Sequence, residues 1–557
     1  MPLASTLLNT AAAHLDPLST LGTIVALLSS YIVYKTYIYP SFLSPLLHIP
    51  GPPNASKYNK YHLPWVGNML DILAEEAGVP HRRWIEEYGG IVRYRGFFGR
   101  QRILIADPKA IQHVFNTNSY NYTKPGRVIQ ILSAVIGKGV LLAEGDAHKK
   151  QRKMLNPAFS HKHIKEMVPV MSLPAKTLGR IWEERAAAHG ESGAEFDVCP
   201  DLNHATLDII GLAGFGYEFN ALTDPTNELS LAYQELFDTT TTRIQLLRIF
   251  IPYYVYIPFE HNRRRLHAIK SIDRATSRMI QEKLVEANAS TSSKDEEEED
   301  ANKGKDLMSI LIRGNEQVGS LEDGKLTNKE LQAQILTFLA AGHETTSVTV
   351  TWMLHVFSLH QDVQRKVREE FLREIGRPGE TSTPLNYDTM NNLPYLAACV
   401  KELLRYIPPV PTTSRMNVED DVILGYEIPK GTEVFLSAAA MHKLESVFGE
   451  DAGEFKPERW MDPAVVAAQD PELAAKTTFV TSDMTWAYQP FLTGPRNCIG
   501  SKFATMETKI LLYYLLCNLE YHPAPGFKFK KQARVTWRPN PGMKLVVKKF
   551  EGSPKEQ

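Results

Sequence analysis

The amino-acid sequence predicts a mainly α-helical chain with small β-sheets, carried behind an N-terminal membrane-spanning helix. Three observations point there. An uncharged apolar run, Leu18 to Tyr34, stands near the start of the chain. Long helical patterns dominate from about Ala147 onward. Only short segments alternate or run apolar over strand lengths.

Composition sets the outer bounds. The chain has 557 residues and a formal net charge of −1. That length allows about three or four domains, or one large single-cored domain. Near-neutral charge argues against nucleic acid as the main partner. Four cysteines, Cys199, Cys399, Cys498 and Cys517, lie far apart with no Cys-x-x-Cys pair. Neither a zinc site nor a disulfide framework is indicated, and a reducing compartment fits. No internal repeat is evident.

The apolar run is just long enough to cross a bilayer, which takes about 17–25 residues. A cleaved signal peptide competes with that reading, but such a peptide opens on positive charge, and Met1 to Thr20 contains no Lys or Arg. A buried core helix is the other alternative. The first cation, Lys35, follows the run, and Lys57, Lys60, Arg82 and Arg83 come later. The positive-inside rule then places residues 1–17 in the lumen, a single-pass anchor at 18–38 and the body in the cytosol. Tyr31, Tyr34, Tyr37 and Tyr39 suit the membrane–water interface. Ile49-Pro-Gly-Pro-Pro53 forbids helix and makes residues 39–56 a stiff hinge, or an ordinary proline turn, ahead of a body at 57–557. Sequons at Asn54, Asn121 and Asn288 are expected to stay unmodified if that body is cytosolic.

Within the body, Ile91 to Arg95 and Arg102 to Ala106 read as two strands joined by a turn at Gly96 to Gly99. Glu144 to Phe159 is dense in cations and reads as a basic helix face. Residues 220–258 are rich in Leu, Phe, Tyr and Thr. The acidic, low-complexity stretch 290–305 cannot bury enough surface to order and reads as a disordered loop.

Thr327-Asn-Lys-Glu330 is a capping box opening a helix to about Leu359. Inside it, Gly342-His-Glu-Thr-Thr346 puts an acid and two hydroxyls among apolar neighbours, where each needs a partner. The hydroxyls can bond back to carbonyls one turn earlier. A second helical run, Tyr395 to Tyr406, sets Glu402 one turn from Arg405, and Phe455-Lys-Pro-Glu-Arg-Trp460 follows. Pro408 to Arg415 enforces extended backbone. Asp421 to Pro429 and Thr432 to Ser437 suggest a second small sheet. In Phe491 to Ala504, Cys498 stands near Gly494 and Gly500 with Arg496 two residues upstream and a helix directly after. Glycines let the backbone approach a flat group, and the helix start favours thiolate. Taken alone, a cysteine between glycines is as well read as an inert thiol.

The whole string, Phe491-x-x-Gly494-x-Arg496-x-Cys498-x-Gly500, resembles the haem-binding loop of the cytochrome P-450 family. Ala341-Gly342-His-Glu344-Thr345-Thr346, Glu402-x-x-Arg405 and Phe455 to Trp460 follow in that family's order. The resemblance covers essentially the whole chain, including the anchor and the proline-rich hinge of microsomal members. It implies one P-450-type domain holding haem b, with Cys498 as the axial thiolate on iron. Arg152, Arg415 and Arg496 are implied as propionate partners, and His148 stands where the family has Trp. Phe491, Gly494 and Gly500 are implied to shape the loop. Gly342 is implied to leave room for oxygen and to kink its helix. Thr345 is implied to hold oxygen and water, and Glu344 to bring in protons. Glu402, Arg405 and Arg459 are implied to lock the core as an ion network, and residues 220–258 to form a substrate lid.

The implied activity is a membrane-anchored haem-thiolate monooxygenase of the endoplasmic reticulum, using O2. No Gly-x-Gly-x-x-Gly follows a strand, so electrons are expected from a separate NADPH-cytochrome reductase, steered by Lys149, Lys150 and Lys153. The apolar lid candidates Leu222, Leu231, Leu236, Phe237, Ile244 and Phe250 imply a lipophilic substrate. Strings such as Pro157-Ala-Phe-Ser160 resemble fungal members, which implies terpenoid or other secondary metabolism. The alternatives are fatty-acid or xenobiotic hydroxylation, a peroxygenase or isomerase, and a haem-binding scaffold.

Overall fold

The computed structural model describes residues 17–53, 56, 58–60, 63, 65–224, 226–238, 254–292, 306–318, 324–380, 385–533, 535–550 and 552. It is mainly helical with small sheets, as expected. The chain divides into two compact units, Met1–Thr123 with Thr412–Ala440, and Lys124–Pro411 with Met441–Gln557.

The first unit begins with helix α1 (Pro17–Val33), whose residues carry no charge, continued as a wider helical segment over Tyr34–Leu43. Thr20–Leu43 is long and apolar enough to cross a membrane. The helix therefore runs past the expected anchor end at 38, through Pro40. Much of the expected hinge is packed: Pro40, Ser44, Leu46 and Ile49 are buried. Asn54 lies outside the described residues.

A five-stranded sheet forms the body of this unit. Its order is β1 (Ile91–Arg95), β2 (Gln101–Ile105), β8 (Glu433–Leu436), β5 (Thr413–Asn417) and β3 (Tyr122–Thr123). β2 and β8 pair in parallel through Ile103 and Val434; the other pairs are antiparallel. The expected second sheet is therefore corrected: β8 joins the first sheet, because its apolar Val434 and Leu436 complete that sheet's buried face. Only β6 (Asp421–Ile423) and β7 (Tyr426–Ile428) form a separate hairpin. Asn121 is held by structure, its Oδ1 accepting from the Val418 and Glu419 N–H groups at 3.1 and 2.9 Å.

In the second unit the elements that matter below are α2 (Gly126–Ile136), α3 (Gly145–Leu155), α4 (Cys199–Phe215), α5 (Asn328–Leu359), α6 (Pro394–Tyr406) and α7 (Ser501–Leu516). Two small sheets join them: β4 (Ala194–Asp197) beside β12 (Lys544–Lys549) and β9 (Leu519–Pro523), and the hairpin β10 (Lys530–Ala533) and β11 (Trp537–Asn540). The Thr327 hydroxyl accepts from the Glu330 N–H at 3.2 Å, and the Glu330 carboxylate accepts from the Thr327 N–H at 2.9 Å, so the expected capping box is formed. α5 is buried on most of its circumference. Its hydroxyls accordingly bond inward: Thr349 donates to the Thr345 carbonyl at 2.7 Å and Thr351 to the Ser347 carbonyl at 2.8 Å.

Residues 220–258 are not one loop, since Glu228–Asp238 is helical. The Leu236 and Phe237 side chains, and Ile244 and Phe250 entirely, lie outside the described residues. The helix Glu260–Ser292 also runs into the expected disordered stretch; residues 293–305 lie outside the described ones, as does the Asn288 side chain.

His81 is the weak point of the first unit. It is buried edge-on to Trp84 and Tyr94, with ring centroids 5.5 and 5.7 Å away, and neither ring nitrogen finds a hydrogen bond. Burial, and then the Arg102 charge, push its pKa down to about 4 from 6.5. Folding favours the neutral ring, so its contribution is complete above pH 6.5 and is lost as pH falls through about 4. His81→Phe should flatten this acid-side loss, worth on the order of 3 kcal/mol, in melting curves taken between pH 7 and 4.

Candidate active site

The Phe491 to Gly500 loop is held by its own backbone. The Cys498 N–H donates to the Phe491 carbonyl at 2.8 Å, and the Asn497 N–H to the Gly494 carbonyl at 3.1 Å. Leu492 (φ 57) and Gly494 (φ 75) take left-handed conformations to make this turn, which is why Gly494 is glycine. Gly500 (φ −88) has no such need. A Cβ there would meet nothing nearer than Phe159 Cε1 at 3.9 Å, leaving its face open for a flat group.

Cys498 is solvent-exposed and α7 begins three residues later. Desolvation by neighbouring protein atoms raises its thiol, while the Gly500 N–H and then Arg152 lower it, so the helix start acts on the sulfur in the expected direction.

α3 brings the basic side chains in. Arg152 donates to the Asn497 carbonyl at 2.7 Å and to Asn497 Oδ1 at 2.6 Å, so it sits on the residue before the cysteine. His148 is buried one turn earlier. Arg496 is buried and ion-paired with Glu144, a partner that sequence reasoning missed. Glu144 also accepts from the Lys124 N–H at 2.9 Å. Arg415 belongs to the first unit. There it donates to the Thr413 hydroxyl at 3.0 Å and the Ser414 carbonyl at 2.8 Å, and stands 5.1 Å over the Phe115 ring.

α5 carries Gly342, Glu344 and Thr345. A Cβ on Gly342 would lie 3.2 Å from Ile210 on α4. The missing side chain thus lets α5 approach α4, within a helix that runs unbroken from Asn328 to Leu359. Thr345 donates to the Ala341 carbonyl at 2.8 Å, the back-bonded geometry. Glu344 is buried, and its carboxylate accepts from Arg538 Nε and pairs with Nη2, both at 2.9 Å, with the Thr536 hydroxyl on the same oxygen. Thr536 and Arg538 come from the β10–β11 hairpin about 190 residues later, and no motif marks them. A buried amide pair ties α3 to α5: Gln334 donates to Gln151 at 2.9 Å and accepts from the Val140 N–H at 2.9 Å.

Glu402, Arg405 and Arg459 are assembled with no solvent exposure. Glu402 pairs with Arg405 at 2.7 and 2.9 Å and with Arg459 at 3.4 Å, and also accepts from the Lys456 N–H and Trp460 Nε1 at 2.9 Å. Arg405 spends its other donors on the carbonyls of His442, Ala452 and Glu454, each at 2.7 Å. Arg459 reaches Asp451 and the carbonyls of Phe448 and Thr478.

Glu507 on α7 is also fully buried. Burial pushes its carboxyl up to about 8, with the Thr346 hydroxyl pulling down.

A haem fits this part of the second unit. Cys498 sulfur is accessible, the Gly500 face is open, and α2 buries only Ile136 although it is apolar along its length. Val128 and Ile131 on α2 are left exposed, a surface that suits an apolar ring and an apolar substrate.

Residues 59–546 match the family model described as Cytochrome P450. The chain is 34% identical to cytochrome P450 monooxygenase 205 of Postia placenta, over 89% of this chain and 90% of that protein. It is 32% identical to cytochrome P450 monooxygenase ALT8 of Alternaria alternata, over 96% and 95%. Ganoderic acid synthetase of Ganoderma lucidum is 30% identical, over 92% and 93%.

Truncating Glu402 or Arg405 to Ala strands a buried charge at a cost of about 3–5 kcal/mol. Neither variant should yield haem-loaded protein, and normal haem content in either would exclude the frame. Glu507 behaves oppositely. Because folding raises its pKa, its ionisation opposes folding as pH rises from 4.5, and the loss levels off above about 8. Glu507→Gln should therefore be more stable than the parent at pH 8 and equal to it below pH 4.5, as read by thermal melting.

Proposed function

The chain belongs to the cytochrome P450 family and is a haem-thiolate monooxygenase, and from that premise we propose that it hydroxylates a lipophilic small molecule in secondary metabolism. The observation that carries the substrate class is the exposed apolar face of α2, with Val128 and Ile131 uncovered. The similarity to a protein named ganoderic acid synthetase supports the metabolic setting.

Haem b, ligated through a cysteine sulfur, supplies the activation of molecular oxygen. In our reading Cys498 is that ligand. Arg152, fixed on Asn497, brings positive charge to the same edge of the site, and His148 and Arg496 are placed to assist it. The frame of Glu402, Arg405 and Arg459 keeps the loop's surroundings rigid.

Thr345 and Glu344 manage protons. Thr345 donates to the Ala341 carbonyl, so its oxygen lone pairs remain for a water or a protonated donor. Glu344 is positioned by Arg538 and Thr536. Delivering a proton toward Thr345 requires the carboxyl to leave that pairing, so Arg538 sets how readily Glu344 moves.

Electrons are proposed to come from an NADPH-dependent reductase docking on α3. Lys149 and Lys153 are exposed there, Lys149 beside Asp146 at 2.9 Å and Lys150 3.9 Å from Glu330. The span Thr20–Leu43, followed by cations, supports a single-pass anchor in the endoplasmic reticulum with a cytosolic body.

Untargeted metabolite profiling of a host that expresses the chain with a reductase tests the reading. A new hydroxylated lipophilic product is expected, and oxidation confined to added fatty acids would replace it. Thr345→Ala should raise the peroxide released per NADPH consumed by about tenfold or more; tight coupling in that variant would refute the role. Reversing charge at Lys149 and Lys153 should slow reductase-driven turnover with a steeper dependence on salt. Unchanged rates at low ionic strength would remove α3 as the docking face.

A further inference from the structure

α2 does little to hold itself in place. Of its 11 residues only Ile136 is buried, so its own packing cannot set its position and the chain at its two ends must. The excursion that contains it, residues 124–144, is closed at its neck. The Lys124 N–H donates to the Glu144 carboxylate at 2.9 Å, and the same carboxylate pairs with Arg496 of the cysteine loop. One end of the excursion is thereby referenced to the loop that carries Cys498.

Beyond α2 the chain is gripped through its backbone by two amides. Gln151 on α3 donates to the Lys138 carbonyl at 3.2 Å, and Gln334 on α5 accepts from the Val140 N–H at 2.9 Å and donates to Gln151 at 2.9 Å. Both glutamines are buried, where a polar atom without a partner is costly. A pair of leucines would fill the same space without that risk, but it could not fix two backbone groups. Gly139, between the gripped residues, lets the loop touch the helix: a Cβ there would overlap Thr337 Oγ1 and the Ala333 carbonyl oxygen. At Gly137 (φ 64) a Cβ would stand 2.9 Å from Ala333 Cβ. The loop is therefore seated on the α5 turn from Ala333 to Thr337.

That seat is connected to the site by direct contacts. Phe338, one turn after Gln334 on the same face of α5, packs edge-on to Phe159 with ring centroids 5.4 Å apart. Phe159 Cε1 is in turn the atom that faces Gly500. On the other side Gln151 precedes Arg152, whose guanidinium is fixed on Asn497. α3 and α5 both reach the cysteine loop, and the amide pair passes their position on to the end of α2.

We infer that Gln334 and Gln151 are positioning residues: by holding Lys138 and Val140 they set the separation between Cys498 and the apolar face of α2, with Val128 and Ile131, and so the size of the apolar group that binds there. This rests on reading Cys498 as the iron ligand and α2 as the substrate face. Being buried, neither glutamine meets the substrate; each acts through the backbone of residues 138–140.

Two iron ligands of different size read this separation in the full-length, haem-loaded protein. Imidazole needs only the metal, whereas 4-phenylimidazole adds an apolar ring that must pack beside it. In absorption titrations Gln334→Leu should weaken 4-phenylimidazole about tenfold while imidazole stays within about twofold of the parent. Equal losses for both ligands, or unchanged or tighter binding of 4-phenylimidazole, would overturn the inference. Ile131→Ser separates it from the reading beneath it. Weaker 4-phenylimidazole binding in Ile131→Ser with none in Gln334→Leu would remove only the amide pair; no loss in Ile131→Ser would remove α2 as the substrate face. Gly139→Ala keeps both glutamines but pushes the loop off α5, and should reproduce the selective loss; parent-like affinity there would show that the loop's seat is immaterial. Hydrogen exchange reads the grip without a ligand and with a milder change. Gln151→Glu keeps the acceptor for Gln334 and loses the donor to Lys138, so exchange across residues 137–143 should quicken severalfold with α3 and α5 unchanged. Parent-like exchange in that variant would remove the grip.

Discussion

The second unit depends on a carboxylate that never meets water. Glu402 is fully buried with two guanidinium groups, and taking such charges out of solvent costs several kcal/mol each before any pairing is counted. The arrangement is tolerable because the donors are used up: Glu402 accepts from two arginines, a backbone N–H and an indole, while Arg405 covers three carbonyls. Those carbonyls belong to a stretch of short helical turns between His442 and Glu454. The ion network therefore ties these turns to α6 through Arg405. It also reaches the cysteine loop. The His442 carbonyl accepts from Arg405, and its Nε2 accepts from the Gln489 N–H at 2.9 Å, two residues before Phe491. An acceptor nitrogen needs a neutral ring, and burial with the Arg405 charge pushes the His442 pKa down to about 3. The frame thus chooses a protonation state as well as a shape.

α5 solves the same problem of buried polarity in two ways. Its threonines turn their hydroxyls back onto the preceding turn, which needs no other element. Glu344 has no such local option, since a carboxylate accepts only and the helix N–H groups are already engaged. Its donors must come from outside, and the β10–β11 hairpin supplies them through Thr536 and Arg538. The hairpin is itself tied to α5 by Trp352 Nε1 donating to the Trp537 carbonyl at 2.8 Å. One packed contact thereby sets both the register of the hairpin and the position of the acid.

Local signals were legible in the sequence. The capping box at Thr327, the span of α5, the strands at Ile91 and Gln101 and the turn at Gly494 follow from short-range chemistry, and the ion frame follows from a resemblance in spacing. What depends on a distant partner was not legible. Arg538 is one basic residue among 62, and nothing in Trp-Arg-Pro tells that its fork closes on Glu344. Nothing around Arg496 in the sequence tells that Glu144 stands beside it, and nothing around Gly342 tells that Ile210 lies where its Cβ would point. β8 reads as half of a new sheet because parallel pairing with β2, over 300 residues earlier, leaves no local trace. In each case the residue type was right for its chemistry, and the partner was set by packing.

Cys498 shows what such a partner has to provide. A helix start and a nearby arginine are the usual devices for lowering a thiol, and both are present: the Gly500 N–H and Arg152 act on it. The loop's shape is set locally: the Cys498 N–H donates to the Phe491 carbonyl, and Gly494 takes the left-handed turn that leaves Cys498 at the surface. Its charge environment is set from far away, because Arg152 reaches Asn497 from α3, 345 residues earlier in the chain. Short-range backbone chemistry therefore makes the turn, and long-range packing decides which cation stands beside it.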